Sequence, residues 1–270
     1  MQMAIKVCVA GGTGWAGSLV TRALLQSEEF ELVGVIARQK AGLDVGDVLG
    51  VPTTGIKIAR SLEEVLPARP DVLIDYTKPD SVKARILAAL ANGVRVVVGT
   101  SGLTAEDYEE IRVEAEARKL AVIAAGNFSL TAALLKHFAQ IAARYLPSWE
   151  IIDYAHADKV DAPSGTTREL AEALAAVAQN QLAVPVEQTY GAKEARGASV
   201  GGTQVHSIRL PGYVIAFEAI FGLPEERLTI RHDAGSGAEP YVAGTLLAAQ
   251  KAMNVTGLVR GLDKLLFDGA

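Results

Sequence analysis

The chain has 270 residues, 50% hydrophobic and 21% charged, with a formal net charge of -5. Such a composition builds a full core in one large or two modest domains, and it excludes a nucleic-acid surface, which needs a clustered excess of Lys and Arg. The single cysteine, Cys8, excludes an internal disulfide and fits a reducing, cytoplasmic setting.

Ala4 to Ala10 is a short apolar run that suits a strand buried on both faces. It stops at the glycines from Gly11, which is not a signal-peptide pattern, and no apolar run in the chain is long enough to span a bilayer. No membrane partner is therefore expected. Gly11-Gly12-Thr13-Gly14-Trp15-Ala16-Gly17 comes next, followed by a helical pattern from Ser18 to Gln26. Gly12, Gly14 and Gly17 match G-x-G-x-x-G, and Gly11, Gly14 and Gly17 match the G-x-x-G-x-x-G variant. Small residues let the backbone approach a pyrophosphate whose charge the helix N-terminus holds. The glycines follow one strand, open a helix and lead to a second strand, Glu31 to Ala37. That context favours a dinucleotide over a structural turn, and Gly11 to Gly17 are all candidate cofactor-binding residues. The second strand ends in Ala37-Arg38-Gln39-Lys40, with no acid for ribose hydroxyls and two cations. Arg38 is the candidate partner for a 2′-phosphate, so NADPH is expected ahead of NADH; the bland alternative is a solvated loop.

The alternation of strands and helices continues. Ser61 and Glu64 have capping-box spacing for a short helix. Strands are predicted over 71–75, 94–98 and 120–124, and helices over 80–91 and from Thr104 to about Lys119. The rhythm implies a parallel, doubly wound sheet of Rossmann type, whose ligands bind at the carboxyl ends of the strands. Tyr76 to Lys78, Gly99, Thr100 and Ser101, and Ala125, Gly126, Asn127 and Phe128 fall at such ends and should line the cofactor cleft.

After Ser129 the rhythm changes. A helix over about 131–145 precedes a strand over 150–155. Gln181 to Gly202 reads as a long loop, and strands follow over 204–209, 214–221 and 227–232. Four strands with few helices predict a smaller α+β domain around an open, mixed sheet. Ile215, Phe217, Ala219 and Phe221 are expected on its uncovered face, as a subunit interface. Pro240 to Ala252 and Leu262 to Phe267 read as helices that return to the first domain. His137, His156, His206 and His232 have no metal-ligand spacing, so no metal is expected.

His156-Ala157-Asp158-Lys159-Val160-Asp161-Ala162-Pro163-Ser164-Gly165-Thr166 joins a strand to a helix predicted over 168–178. Backbone N–H groups at a helix start attract anions, and Ser164, Gly165 and Thr166 sit there. Lys159 adds a fixed cation and His156 a group that titrates near neutral pH. The stretch reads either as a carboxylate cradle with an acid beside it or as a capped helix with a surface lysine.

Taken together, Gly11–Gly17, Asp71–Thr77, Gly99–Gly102, Asn127–Ser129 and above all Lys159–Thr166 resemble the 4-hydroxy-tetrahydrodipicolinate reductase (dihydrodipicolinate reductase) family. The resemblance implies a nucleotide-binding domain from residues 1–128 and 240–270, a substrate-binding and oligomerisation domain over 129–239, and a homotetramer. It implies hydride transfer from NAD(P)H to a cyclic imine dicarboxylate in lysine and diaminopimelate biosynthesis. Lys159 and His156 would be catalytic, and His156, Lys159, Ser164, Gly165 and Thr166 would bind substrate. The chain departs from the family at three places. Ala155 replaces the first of two histidines, the usual proton donor; Ile215-Ala216-Phe217 replaces Gly-Glu-His; and Gly237 replaces an arginine. Two alternatives stay open: a reductase of another imine or carbonyl acid, and an NADPH sensor without turnover.

Overall fold

A computed structural model describes residues 3–267. In chain order it runs β1 (Ile5–Ala10), α1 (Trp15–Leu25), β2 (Phe30–Ile36), α2 (Val45–Leu49), β3 (Ile58–Ala59), β4 (Val72–Asp75), α3 (Pro79–Ala91), β5 (Arg95–Val98), α4 (Ala105–Arg118) and β6 (Ala121–Ala124). It continues with α5 (Leu130–Ala143), β7 (Ser148–Ala155), α6 (Gly165–Ala175), β8 (Ala198–Val200), β9 (Thr203–Arg209), β10 (Ile215–Leu223) and β11 (Glu226–Ala234). It closes with α7 (Glu239–Ala252), β12 (Gly257–Arg260) and α8 (Leu262–Phe267). The chain divides into two compact units, one up to Leu130 and again from Ala238, the other Thr131–Gly237.

The first unit holds a seven-stranded sheet in the order β12-β6-β5-β4-β1-β2-β3, with every pairing parallel. Its inner strands read as continuous apolar runs because helices cover both faces: Val72, Leu73, Ile74, Val96 and Val97 are all fully buried. The order reverses between β1 and β4, which opens a crevice beyond their carboxyl ends. Thr104 caps α4 as the spacing predicts, with its hydroxyl accepting from Asp107 N–H and the Asp107 carboxylate accepting from Thr104 N–H. Ser61 and Glu64 form no such cap. The chain there turns into a 3-10 stretch, Leu66–Ala68, and the Glu64 carboxylate accepts from Arg60 N–H at 2.9 Å. Pro67 has no N–H to continue an α-helix, and the segment is too short to recover the cost of nucleation. β12, a four-residue strand, supplies a seventh strand that residue patterns did not reveal.

The second unit holds a mixed five-stranded sheet, β11-β10-β7-β9-β8, in which only β7 and β9 run parallel. The expected long loop 181–202 contains β8 at its end, so the sheet has five strands rather than four. The expected uncovered face is also corrected. Phe217, Ala219 and Phe221 are buried in the core with Leu135, Ala139, Leu170 and Leu174 of α5 and α6. Register places Ala216, Glu218 and Ile220 of β10 on the opposite face, beside Ile152 and Tyr154 of β7. Large aromatic side chains are worth most against the helices, and that decided which parity faces inward.

Candidate functional site

The first unit's crevice begins at the glycine turn. Gly11 has φ +77°, and a Cβ there would lie 2.1 Å from the Tyr76 carbonyl oxygen. A Cβ at Gly17 would lie 2.2 Å from the Gly11 carbonyl oxygen. Both positions therefore demand glycine: the first for its left-handed backbone and close approach, the second so that α1 can pack down on the turn. Gly14 caps α1 with no side chain, which leaves the first N–H groups of that helix open to a ligand.

A cavity of about 410 Å³ lies here, lined by Trp15, Ala16, Tyr76, Thr77, Pro79, Gly99, Thr100, Ser101, Gly126, Asn127, Phe128 and Tyr241. It joins the ends of β4, β5 and β6 to the start of α1. Gly11, Gly12, Thr13, Gly14 and Gly17 form the turn itself, and Ala125 precedes the lining at the end of β6. Arg38 is exposed in a 3-10 turn just after β2 and is not among the lining residues. Sequence reasoning missed Tyr241. It comes from α7, far along the chain, and meets Trp15 edge-on with ring centroids 5.8 Å apart. No local pattern could have announced it.

Buried polar groups hold the loops of this crevice. Asp75, fully buried at the end of β4, pairs with Arg85 of α3. Its Oδ1 accepts from Thr77 N–H at 3.0 Å, the Thr77 hydroxyl at 2.6 Å and the Thr100 hydroxyl at 2.9 Å. One carboxylate thereby sets the loops after β4 and β5 together. The Tyr76 hydroxyl bonds Thr245 Oγ1 at 2.6 Å, and burial pushes this phenol far above its usual range.

The second unit carries the His156–Thr166 loop between β7 and α6. Ala155 ends β7 and is fully buried, so a side chain at this position faces packed protein. His156 is exposed, its Nδ1 2.5 Å from Asp158 Oδ1, and Lys159 Nζ lies 2.6 Å from Asp161 Oδ1. Hydrogen bonds from His156 and Lys159 hold the Asp158 and Asp161 carboxyls below the ordinary range. Ser164 is turned inward: its hydroxyl donates to Asp153 Oδ1 at 2.9 Å and caps α6 at Thr167 N–H. The Ser164 hydroxyl thereby shapes the turn. Gly165 and Thr166 N–H have no partner among the described residues, and a Cβ on Gly165 would meet nothing within 4 Å. The turn thus presents two free donors at a helix start.

Two of the other histidines are tied into the second unit by side-chain contacts. His206 Nε2 bonds Glu150 Oε2 at 2.7 Å, and His232 Nδ1 bonds the Thr131 hydroxyl at 3.0 Å while its ring packs on Phe217. His137 lies within α5. No group of three or more His, Cys, Asp or Glu among the described residues could hold a metal, and no helix among them is long and apolar enough to cross a membrane.

Comparison with known proteins covers nearly the whole chain. The family described as dihydrodipicolinate reductase, N-terminus, matches residues 5–128, and its C-terminus counterpart matches 128–266. The 4-hydroxy-tetrahydrodipicolinate reductase of Moorella thermoacetica is 42% identical over 98% of this chain and 99% of its own. The protein of the same name from Desulfitobacterium hafniense is 39% identical over 97% of this chain and 98% of its own. Among solved structures, a dipicolinate-bound dihydrodipicolinate reductase from a Paenisporosarcina species superposes with a TM-score of 0.86 at 32% identity, over 97% of this chain and 99% of that one.

Proposed function

The chain belongs to the dihydrodipicolinate reductase family, and we propose that it is the NAD(P)H-dependent 4-hydroxy-tetrahydrodipicolinate reductase of lysine and diaminopimelate biosynthesis. The observation that carries this reading is the turn at Gly165 and Thr166, whose two free N–H groups share a loop with Lys159 and His156. Such a turn suits one carboxylate of a small dicarboxylate. Reduction of another imine, or cofactor sensing without turnover, is not favoured, because relatives matched over almost the entire chain carry the reductase name.

The first unit fits a nicotinamide dinucleotide: the glycine turn leaves no room for side chains, and the α1 N-terminus offers donors for a pyrophosphate. The bound nucleotide supplies the hydride. Gly11 to Gly17 would hold its phosphates, Gly99 to Ser101 and Ala125 to Phe128 would border the rest, and Arg38 would pair with the 2′-phosphate of NADPH. We assign this role to residues 1–128 and 240–270, and substrate binding and oligomerisation to 129–239. In the second unit Gly165 and Thr166 N–H bind a substrate carboxylate. Lys159 gives up Asp161 to stabilise the negative charge that develops as the imine is reduced. His156, freed from Asp158, or Lys159 delivers the proton in place of the donor that Ala155 lacks. The protein would work in the cytoplasm as a homotetramer.

The test is NADPH oxidation with freshly condensed aspartate semialdehyde and pyruvate. Wild-type protein should turn over, and Lys159→Ala should lose roughly two to four powers of ten in turnover, the usual worth of acid and electrostatic assistance. NADPH affinity of the variant should stay unchanged. A variant as fast as wild type would remove Lys159 from the site.

A further inference from the structure

Beneath the anion-binding turn lies a buried ion pair. Asp153, 1% exposed on β7, accepts from five groups. These are Ser164 N–H at 2.9 Å, the Ser164 hydroxyl at 2.9 Å, the Thr167 hydroxyl at 3.1 Å, the Ser207 hydroxyl at 3.3 Å and Arg209 Nη2 at 2.7 Å. Arg209, at the end of β9, also donates from Nη2 to the Asp161 carbonyl oxygen at 2.7 Å and from Nη1 to the Asp153 carbonyl oxygen at 3.3 Å. One guanidinium therefore ties the strand that enters the loop to the loop's far half, across the segment that bears His156 and Lys159. Its Nε is buried with no partner among the described residues. An unpaired buried donor costs stability, so stability alone does not account for an arginine here.

The electrostatics point the same way. Asp153 grips the residue just before Gly165, which puts a full negative charge directly behind a turn that must attract an anion. Burial would raise the Asp153 carboxyl, but Arg209 and Ser164 outweigh it and hold the group below its ordinary range, so the charge is present at neutral pH. Left alone in a poorly solvated setting, that charge would repel a dicarboxylate. Arg209 cancels it in place.

Resting on the substrate reading above, we propose that Asp153 and Arg209 are the positioning pair of the substrate-carboxylate site. Asp153 locks Ser164 as the cap that aims the Gly165 and Thr166 N–H groups, and Arg209 neutralises Asp153 so that the turn keeps its attraction for an anion. Neither residue touches the reacting atoms, so their loss acts on substrate affinity rather than on turnover.

Full-length wild type, Arg209→Met and the double variant Asp153→Asn/Arg209→Met are compared by steady-state kinetics, and by calorimetric binding of pyridine-2,6-dicarboxylate in the presence of NADPH. Arg209→Met should raise KM for the imine dicarboxylate, and Kd for the probe, about 30- to 100-fold, the lower end of the loss seen when one member of a buried charge pair is removed. Its kcat and its KM for NADPH should hold within about threefold, a margin small beside the effect sought. The double variant removes both charges while Asn keeps an acceptor for Ser164, so it should recover most of the lost affinity; a merely structural role predicts that it is no better than the single. An unchanged KM in Arg209→Met, or no recovery in the double, overturns the proposal. If Arg209→Met does not fold, Arg209→Lys decides: it keeps a cation beside Asp153 but gives up the fork that also reaches the Asp161 carbonyl oxygen, so a KM within about threefold of wild type upholds the neutralising role and a larger rise overturns it. A wild type that neither turns over the imine nor binds the probe would instead bring down the substrate reading.

Discussion

At the scale of single residues, the glycine turn before α1 and the turn before α6 hold their chemistry in short contiguous stretches. Gly11 and Gly17 stand where the backbone leaves no room for a Cβ, and Gly165 opens α6 beside Lys159 in the same loop. The ion pairs Asp75–Arg85 and Asp153–Arg209 span 10 and 56 residues, so no local pattern shows them and only folding brings them together. The reading of Arg38 rests on charge alone. Arg38→Ala should weaken NADPH far more than NADH, since only the former carries a 2′-phosphate; titration of both cofactors by fluorescence checks this, and equal losses would refute it. His232 allows a pH prediction. Burial lowers its pKa below the ordinary 6.5, so the folded protein binds fewer protons than the unfolded chain between those two values. The stabilisation is therefore complete above 6.5 and falls as pH drops through the window beneath it, at up to about 1.4 kcal/mol per pH unit for one proton. Urea midpoints of wild type should decline below that pH, and those of His232→Gln should decline less. Parallel curves would show that His232 does not carry the dependence.

At the scale of elements, long patterned segments were legible and short edge segments were not. β1, α1, α3, α4 and α7 follow from apolar runs, caps and glycine stops. β3 has two residues and β8 three, too few for any period to emerge, and β12 (Gly257–Arg260) has only Leu258 and Val259 as apolar side chains, against the near-continuous apolar runs of β4, β5 and β6. β10 shows a different failure. Period 2 correctly groups Phe217, Ala219 and Phe221 on one face, but period alone does not say whether that face meets helices or another subunit. The partners decide: α5 and α6 bring Leu135, Ala139, Leu170 and Leu174 against those side chains. Phe217 is 2% exposed. Phe217→Ala should therefore cost roughly 3–5 kcal/mol of unfolding free energy, the scale for emptying an aromatic core site, and should not change subunit number. Chemical denaturation with light scattering separates the two outcomes; unaltered stability with loss of oligomers would return β10's aromatic face to an interface.

At the scale of the whole molecule, the helices of the second unit cover one face of its sheet, and the other face keeps Ile152, Ile220, Tyr154, Glu218 and Arg231 together by register. That face mixes apolar and charged groups. The Tyr154 hydroxyl donates to Glu218 Oε1 at 2.7 Å, Arg231 Nη1 lies 3.6 Å from Glu218 Oε2, and the Arg231 guanidinium sits 4.8 Å from the Tyr154 ring centroid. A sheet surface with fixed charges and isoleucines between them suits an isologous contact with a second copy of the same chain, where symmetry repeats every pair. We therefore place the proposed tetramer contact here, on the parity opposite to Phe217. Ile152 is central on this face: it pairs with Glu218 of β10 and His206 of β9, and it lies outside the helix-facing core. Ile152→Lys would put a cation into the contact close to that of its symmetry mate, while the neighbouring Glu218 carboxylate is already engaged by Tyr154 and Arg231. Light scattering at micromolar concentration should show tetramers for wild type and smaller species for Ile152→Lys, with the far-UV circular dichroism of the folded chain retained. Intact tetramers in the variant would move the contact elsewhere, and a monomeric wild type would remove the tetramer itself.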